Sequence, residues 1–368
     1  MSKKIMLVVG TRPNFIKITQ FEKELAAYGD AFEYILIHTN QHFDTNMSDI
    51  FFTQLNLKKP EFLTIAPSSP AAQIGQIIIE LEKSVIKHQP DALIVVGDVN
   101  STLAGAIVGN KTNTLLFHLE SGLRSYDNEM PEEINRLITD LVADHFFVTE
   151  QSGYDNLLAS GKLPQQIHFV GNTMIDTLVA FDAIIQQNDI LEKLNLVNKS
   201  FVLMTMHRPS NVDTKERLLV LLDIINRVSE NNHLVLPIHH RTKNSLIKHN
   251  LFHLLENNPK VIISEALDYL AFQKLIATCN YVLTDSGGIQ EETTFRQVPC
   301  LTLRENTERP STVTLGTNEL VEYNYEAVAE KINEIENGSY KKGTIPPLWD
   351  GKATQRIIKV LHEILVKN

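Results

Sequence analysis

The stretch Ala92-Leu93-Ile94-Val95-Val96-Gly97-Asp98-Val99-Asn100-Ser101-Thr102 decides the fold. Its first five residues are apolar, without the alternation of a strand that keeps one face in water. They read as a strand covered on both sides, the mark of a parallel sheet between helices. Asp98 then stands at the strand's carboxyl end, and Asn100 and Ser101 are residues that cap a following helix. Taken alone, such an aspartate reads first as a cap; its place beyond a buried strand makes it a candidate for more.

Working outward, short β-branched runs at 5–9, 34–37, 92–96, 115–118 and 146–148 alternate with helical patterns. The rhythm restarts at 201–204, 234–238, 261–263, 281–283 and 300–303. Two such series, in a chain of 368 residues, point to two doubly wound α/β domains, although eight-fold barrels share the alternation. The polar segment 187–200 is the place expected for the linker, in or just before it. A closing amphipathic helix at about 353–366 follows a loop, 343–351, that holds two prolines and the only tryptophan.

Composition narrows the function. With 43% hydrophobic and 21% charged residues the chain reads as an ordinary globular protein, and a net charge of −10 speaks against a nucleic-acid footprint. No apolar stretch at the N-terminus is long enough for a signal or a membrane span, so the expected compartment is the cytoplasm. Cys279 and Cys300 match no metal spacing and read as buried free thiols. There is no Gly-x-Gly-x-x-Gly and no Walker-type loop, which counts against NAD and ATP. His239 and His240 lack a third ligand at metal spacing, so neither a metal nor another cofactor is expected.

In doubly wound sheets ligands sit beyond the carboxyl ends of the strands, and the chemistry-bearing residues cluster there. Gly10-Thr11-Arg12-Pro13-Asn14-Phe15-Ile16-Lys17 follows the first strand and sets two cations, Arg12 and Lys17, beside a helix start. Glu120 follows a buried-looking strand, where an unpaired carboxylate is costly. Glu132 and Glu133 fall in the first turn of a helix opened by Pro131, where the dipole favours negative charge. His207 follows the first strand of the second series, where a histidine side chain can act on a phosphate leaving group. The sharpest feature is Leu283-Thr284-Asp285-Ser286-Gly287-Gly288-Ile289-Gln290-Glu291-Glu292. There a strand ends in Ser286, Gly287 and Gly288 and opens a helix, giving a phosphate cradle without a P-loop lysine. Glu291 or Glu292 can accept from both hydroxyls of a ribose, Phe272 can face a base, and Arg309 offers a further phosphate partner. Each alone has a plainer reading, as core residue, cap or surface ion-pair member.

Together these blocks resemble the non-hydrolysing UDP-N-acetylglucosamine 2-epimerases over nearly the whole chain. The resemblance rests on GTRPNFIK (10–17), QHFDTNMSDIFF (41–52), GDVNSTLAG (97–105), HLESGLRS (118–125) with MPEEINR (130–136), MHRPSNV (206–212), LTDSGGIQEE (283–292) and TERPSTVTLGTN (307–318). It implies the GT-B architecture, two Rossmann-like doubly wound domains with the active site in the cleft between them. The domains would span 1–175, joined by the C-terminal helix 353–368, and 176–352. It implies reversible conversion of UDP-GlcNAc to UDP-ManNAc by a cytoplasmic homodimer serving surface polysaccharides. Asp98, Glu120 and Glu132 would be the acid/base carboxylates and His207 the residue beside the diphosphate. Arg12 and Lys17 would line the cleft, Ser286, Gly287 and Gly288 would hold the phosphates, Glu292 the ribose and Phe272 the uracil, with Arg309 completing the site. Asn14, Val99 and Ser121 depart from the commoner Glu, Thr and Ala of the family. Asp44 stands where members with a second, regulatory UDP-GlcNAc site carry Gln, and no arginine lies between Leu63 and Ile74. The QHFD form also resembles the branch acting on UDP-2,3-diacetamido-glucuronic acid, and a GT-B glycosyltransferase would share the nucleotide half.

Overall fold

The computed structural model describes residues 2–41, 52 and 54–367. It divides into two compact units, one of Met1–Ala180 with Pro347–Asn368, the other of Phe181–Pro346. The helix Thr173–Gln186 carries the chain from the first to the second. The segment 187–200 lies in the second unit, where Ile190 and Leu196 are buried.

In the first unit the strands β1 (Lys3–Val9), β2 (Phe32–His38), β3 (Glu61–Phe62), β4 (Ala92–Val96), β5 (Leu115–Leu119), β6 (His145–Val148) and β7 (Ile167–Phe169) form one sheet. Its order is β3-β2-β1-β4-β5-β6-β7, every pair parallel. All five residues of β4 are buried, as an unbroken apolar run requires. Met6, Val8, Leu93 and Val95 meet Ile77, Leu81 and Val85 of the helix Pro70–His88 on one face. Ile5, Leu7 and Ile94, pointing the other way, are equally buried.

The second unit repeats the plan. Strands β8 (Phe201–Thr205), β9 (His233–Pro237), β10 (Val261–Ser264), β11 (Val282–Thr284), β12 (Cys300–Thr302) and β13 (Asn318–Leu320) run in the order β10-β9-β8-β11-β12-β13, again all parallel. Val202 and Met204 enter one apolar cluster, Phe201 and Leu203 another, so helices cover both faces. Both sheets therefore have the Rossmann order, in which the third, second and first strands lie to one side and the later ones to the other. The two-domain, doubly wound expectation holds. The strands β3, β7 and β13 had no counterpart in the sequence reading. Each is two or three residues long and lies at a sheet edge, too short to show a period.

The end of the chain completes the first unit. Trp349 is 2% exposed and its indole N–H donates to the Thr149 carbonyl at 2.9 Å. Asp176 then accepts from the main-chain N–H groups of Ala353 (3.0 Å) and Thr354 (2.5 Å), satisfying donors at the start of the helix Ala353–Leu365. That helix buries Ile357, Ile358 and Leu361 and packs on the helix Phe21–Ala26. No helix among the described residues is long and apolar enough to cross a membrane.

The docking of this returning segment is testable through its tryptophan. Trp349→Ala removes a fully buried indole and its hydrogen bond, for which a loss of about 3–5 kcal/mol is expected in urea unfolding of the whole chain. An unchanged midpoint would show that the segment does not dock.

Candidate functional site

In a sheet of Rossmann order the crevice opens where the chain reverses direction across the sheet, between the first and fourth strands. In the first unit this is the carboxyl edge of β1 and β4. A Cβ built on Gly10 would stand 1.9 Å from the Ser101 Oγ, so only glycine lets the chain leave β1 so close to the helix Asn100–Lys111. The Asn14 side chain seals the turn. Its Oδ1 accepts from the N–H groups of Gly10 (3.1 Å) and Thr11 (3.2 Å), and its Nδ2 donates to the Val96 carbonyl at 3.2 Å, at the end of β4. Asn14 is buried; the asparagine stands in a site that needs both a donor and an acceptor.

Lys17, also buried, reaches the Glu120 Oε2 at 2.5 Å. Glu120 holds φ at +67°, a left-handed backbone uncommon outside glycine and asparagine, immediately after β5. A Cβ on Gly97, itself at φ +70°, would lie 3.3 Å from the Lys17 Nζ, so the ammonium stands over the turn that carries Asp98. Arg12 opens the short helix Arg12–Ile16 and is half-buried.

Asp98 is held by Arg136, whose Nη2 contacts its Oδ2. The other arm of that guanidinium meets Glu133 at 2.6 Å, and Asn135 donates to the Asp98 carbonyl at 2.9 Å. The Glu133 Oε2 also accepts from the main chain and hydroxyl of Ser125, at 2.9 and 3.0 Å. The two glutamates that open the helix Pro131–Val142 thus part company. Glu133 is a buried brace, whereas Glu132 is half-buried and bonded to no described side chain. Beneath the turn, each ring nitrogen of His118 faces an acceptor: Nδ1 meets Asp140 at 2.7 Å and Nε2 the Gly97 carbonyl at 2.8 Å. Burial raises the Asp140 carboxyl, but His118 and Arg124 outweigh it and hold the group below the usual range.

In the second unit the crevice lies between β8 and β11. His207 and Asp285 follow these strands, and the His207 Nδ1 is 2.7 Å from the Asp285 Oδ1. Ser286 is the N-cap of the helix Gly287–Arg296, and Ser286, Gly287 and Gly288 are all partly exposed. A Cβ on Gly287 would come within 2.8 Å of the Arg309 Nη1, so a guanidinium stands directly over the helix start, where charge and dipole both favour an anion. Arg309 is fixed by Glu291 at 2.8 Å and Glu308 at 3.4 Å, and Arg304 grips Glu308 through both guanidinium nitrogens at 3.2 Å. Burial works to raise Glu308, yet Arg309 and Arg304 bring it down to about 2.

Glu292 is 5% exposed and differs from all of these. Burial pushes its carboxyl up to about 7, against the pull of the nearby Gln273 amide and Arg296 and with the push of Glu291. Phe272 is half-buried and packs on the apolar cluster of Leu275 and Ile289.

The sequence reading therefore located the strand-end residues of each unit, and within the first unit the fold brings Lys17, Asp98 and Glu120 to one edge. It missed the partners: Arg136, Glu133, His118, Asp140, Arg304 and Glu308 carried no assigned role. Asp285 stood in a quoted motif without one, although an aspartate fully buried after a strand needs donors. His42, Phe43 and Asp44 lie outside the described residues.

Fold and site place the chain among the two-unit, Rossmann-like α/β enzymes. A family model described as UDP-N-acetylglucosamine 2-epimerase matches residues 23–362. A UDP-N-acetylglucosamine 2-epimerase of Methanocaldococcus jannaschii is 38% identical over 97% of this chain and 98% of its own length. The crystal structure of M. jannaschii UDP-GlcNAc 2-epimerase in complex with UDP-GlcNAc and UDP has a TM-score of 0.88 at 39% identity, covering 98% of this chain and 99% of that one. A UDP-2,3-diacetamido-2,3-dideoxy-D-glucuronate 2-epimerase of Pseudomonas aeruginosa is 36% identical over 86% of this chain and 88% of its own length. The chain belongs to the UDP-N-acetylglucosamine 2-epimerase family and is an isomerase.

The raised Glu292 makes a prediction about stability. Its folded value of about 7 lies above the 4.5 of the free side chain, so its contribution is fully present below about 4.5 and is lost as pH rises through 7. Glu292→Gln removes the buried charge. Melting should match wild type at pH 4 and be stabilised at pH 8 by on the order of 1–3 kcal/mol. An equal offset at both pH values would refute the assignment.

Proposed function

We propose that the enzyme reversibly converts UDP-N-acetylglucosamine to UDP-N-acetylmannosamine by inverting C2 of the sugar. The observation that carries the reading is the division of chemistry between the two crevices. Carboxylates with cations in contact, Asp98 with Arg136 and Glu120 with Lys17, end strands of the first unit, and a glycine-opened helix under Arg309 follows β11 in the second. The M. jannaschii relative solved with UDP-GlcNAc and UDP supports the same substrate.

C2 of an N-acetylhexosamine has no neighbouring carbonyl, so a free carbanion there is not accessible. Instead the C2–H bond breaks, its electrons form the C1=C2 bond of 2-acetamidoglucal, and the C1–O electrons leave with UDP. Return of the phosphate oxygen to C1, with a proton delivered to the opposite face of C2, completes the inversion. One carboxylate takes the proton, another supplies one, and positive charge meets the departing diphosphate. In this reading Asp98, Glu120 and Glu132 are the acid/base groups and Arg12 and Lys17 flank them. Ser286, Gly287, Gly288 and Arg309 hold the diphosphate, His207 contacts it, Glu292 binds the ribose and Phe272 the uracil.

A homodimer is part of the proposal. Its support is that every exposed residue of the helix Pro131–Val142 is apolar, Ile134, Leu137, Ile138 and Leu141 forming one stripe. Light scattering should report twice the chain mass, and Leu141→Glu should halve it. Two buried, unpaired cysteines support a reducing, cytoplasmic setting. The P. aeruginosa relative favours a second reading, the same inversion on a UDP-2,3-diacetamido-glucuronate.

Incubation with a panel of UDP-sugars, followed by proton NMR, separates the substrates. In D₂O the product should carry deuterium at C2, and the substrate pool should become labelled on long incubation. Product that retained its protium would overturn the elimination route. Amide replacements of Asp98, Glu120 and Glu132 should each slow turnover roughly 10²–10⁴-fold. Gly287→Leu should abolish UDP binding in calorimetry with the thermal transition nearly intact, and retained affinity would refute the cradle. If no UDP-sugar were epimerised while UDP still bound, the glycosyltransferase reading would replace this one.

A further inference from the structure

Asp285 is wholly buried at the carboxyl end of β11, and both of its oxygens are occupied by donors that surround His207. Oδ2 accepts from the main-chain N–H of His207 at 2.9 Å and of Arg208 at 2.8 Å, and from Asn211 Nδ2 at 3.3 Å. Oδ1 faces the His207 ring at Nδ1, 2.7 Å away. Asn211 also donates to the Leu303 carbonyl at 3.2 Å, just after β12, and the Thr205 and Thr284 hydroxyls link β8 to β11 at 2.7 Å, so the elements that carry the carboxylate and its donors are tied together. Burial acts to raise Asp285, but the His207 ring and the two main-chain donors hold it below the carboxylate range.

A buried aspartate that only tied down the turn would need no more than the main-chain donors. This one also fixes a side chain that is 41% exposed. Because Nδ1 is turned inward to the carboxylate, Nε2 is the nitrogen left facing outward. The neighbouring ring of His239, 5.4 Å from His207, is committed elsewhere, since its Nδ1 accepts from the Arg241 N–H at 3.2 Å. Burial, then the nearby His240 and His207, lower the pKa of His239.

We propose that Asp285 is a positioning residue for His207. It accepts a hydrogen bond from Nδ1–H, so that Nε2 is the atom offered to the ligand, and it is the buried counter-charge of the doubly protonated ring whose Nε2–H points at the β-phosphate oxygen leaving C1. The inference rests on the reading that His207 meets the diphosphate. In that step the C1–O bond breaks and its electron pair goes to the phosphate oxygen. The Nε2–H donates a hydrogen bond to that oxygen, and no proton need transfer.

An asparagine at 285 keeps the shape but places an amide N–H₂ among donors. It is best accommodated against Nδ1, which must then lose its proton, leaving a neutral ring that keeps the Nε2–H but brings no positive charge to the leaving oxygen. Two-bond ¹H–¹⁵N spectra of the histidine rings read this directly. In the wild-type protein the His207 Nδ1 should be protonated between pH 6 and 8, and in Asp285→Asn it should not. Turnover of Asp285→Asn should fall on the order of 10²-fold or more, with KM for the UDP-sugar changed less than threefold. In a His207→Asn background the same change should have no further effect on kcat. An unprotonated Nδ1 in the wild-type protein, or losses that multiply in the double variant, would overturn the proposal. If His207→Asn left kcat unchanged, the diphosphate role of His207 would fall, while the ring spectra would still judge the Asp285 pairing.

Discussion

Parallel pairing is the constraint from which the rest of this molecule descends. When neighbouring strands all run the same way, every carboxyl end arrives at one edge of the sheet, and every helix that follows starts there. Residues far apart in the chain are thereby delivered to one place: Gly10 to Lys17 after β1, Gly97 and Asp98 after β4, Glu120 after β5. Asn14 binds that edge together, accepting hydrogen bonds from one turn and donating one to the end of the adjacent strand. In the second unit Asp285 performs the equivalent link from β11 to the turn after β8.

The two crevices solve the same electrostatic problem with opposite signs. Removing a charge from water costs several kcal/mol unless a partner and hydrogen bonds replace the solvent. The first unit sets Asp98 outward and backs it with Arg136, and pairs the buried Glu120 with Lys17; the second sets Arg309 outward and backs it with Glu291 and Glu308. Two of these groups are themselves braced, Arg136 by Glu133 and Glu308 by Arg304. Glu292 is the exception, buried without a contacting cation of this kind, and its carboxyl is correspondingly raised.

The fold was legible because its central strands are uninterrupted apolar runs, and buried strands of 92–96 or 201–204 leave little choice of environment. The edge strands β3, β7 and β13 were not, since two or three residues carry no pattern and their pairing is imposed by the neighbour already in place. Candidate residues were legible for a related reason: a polar side chain directly after an apolar strand is unusual enough to notice. Their partners were hidden. Nothing local distinguishes Glu132 from Glu133, yet a helical step of one residue sends one into a network with Ser125 and Arg136 and leaves the other at the edge. The sequence separation between His207 and Asp285 is likewise closed only by the sheet order.

The helix Pro131–Val142 has one polar, buried face and one apolar, exposed face. Glu133, Arg136 and Asp140 point inward to the turns after β4 and β5, while Ile134, Leu137, Ile138 and Leu141 point out. Proline at its first position fixes where the winding begins. One residue inserted or deleted beyond Pro131 would rotate everything downstream by ~100°, driving leucine and isoleucine towards the ionic braces and charges into their place. The residues just before the proline impose no such phase, whereas Gly122, Arg124 and Ser125 are tied to the helix's inward face. A change of length would therefore be borne between Ser125 and Pro131, and the packing of both faces fixes the spacing within the twelve residues of the helix.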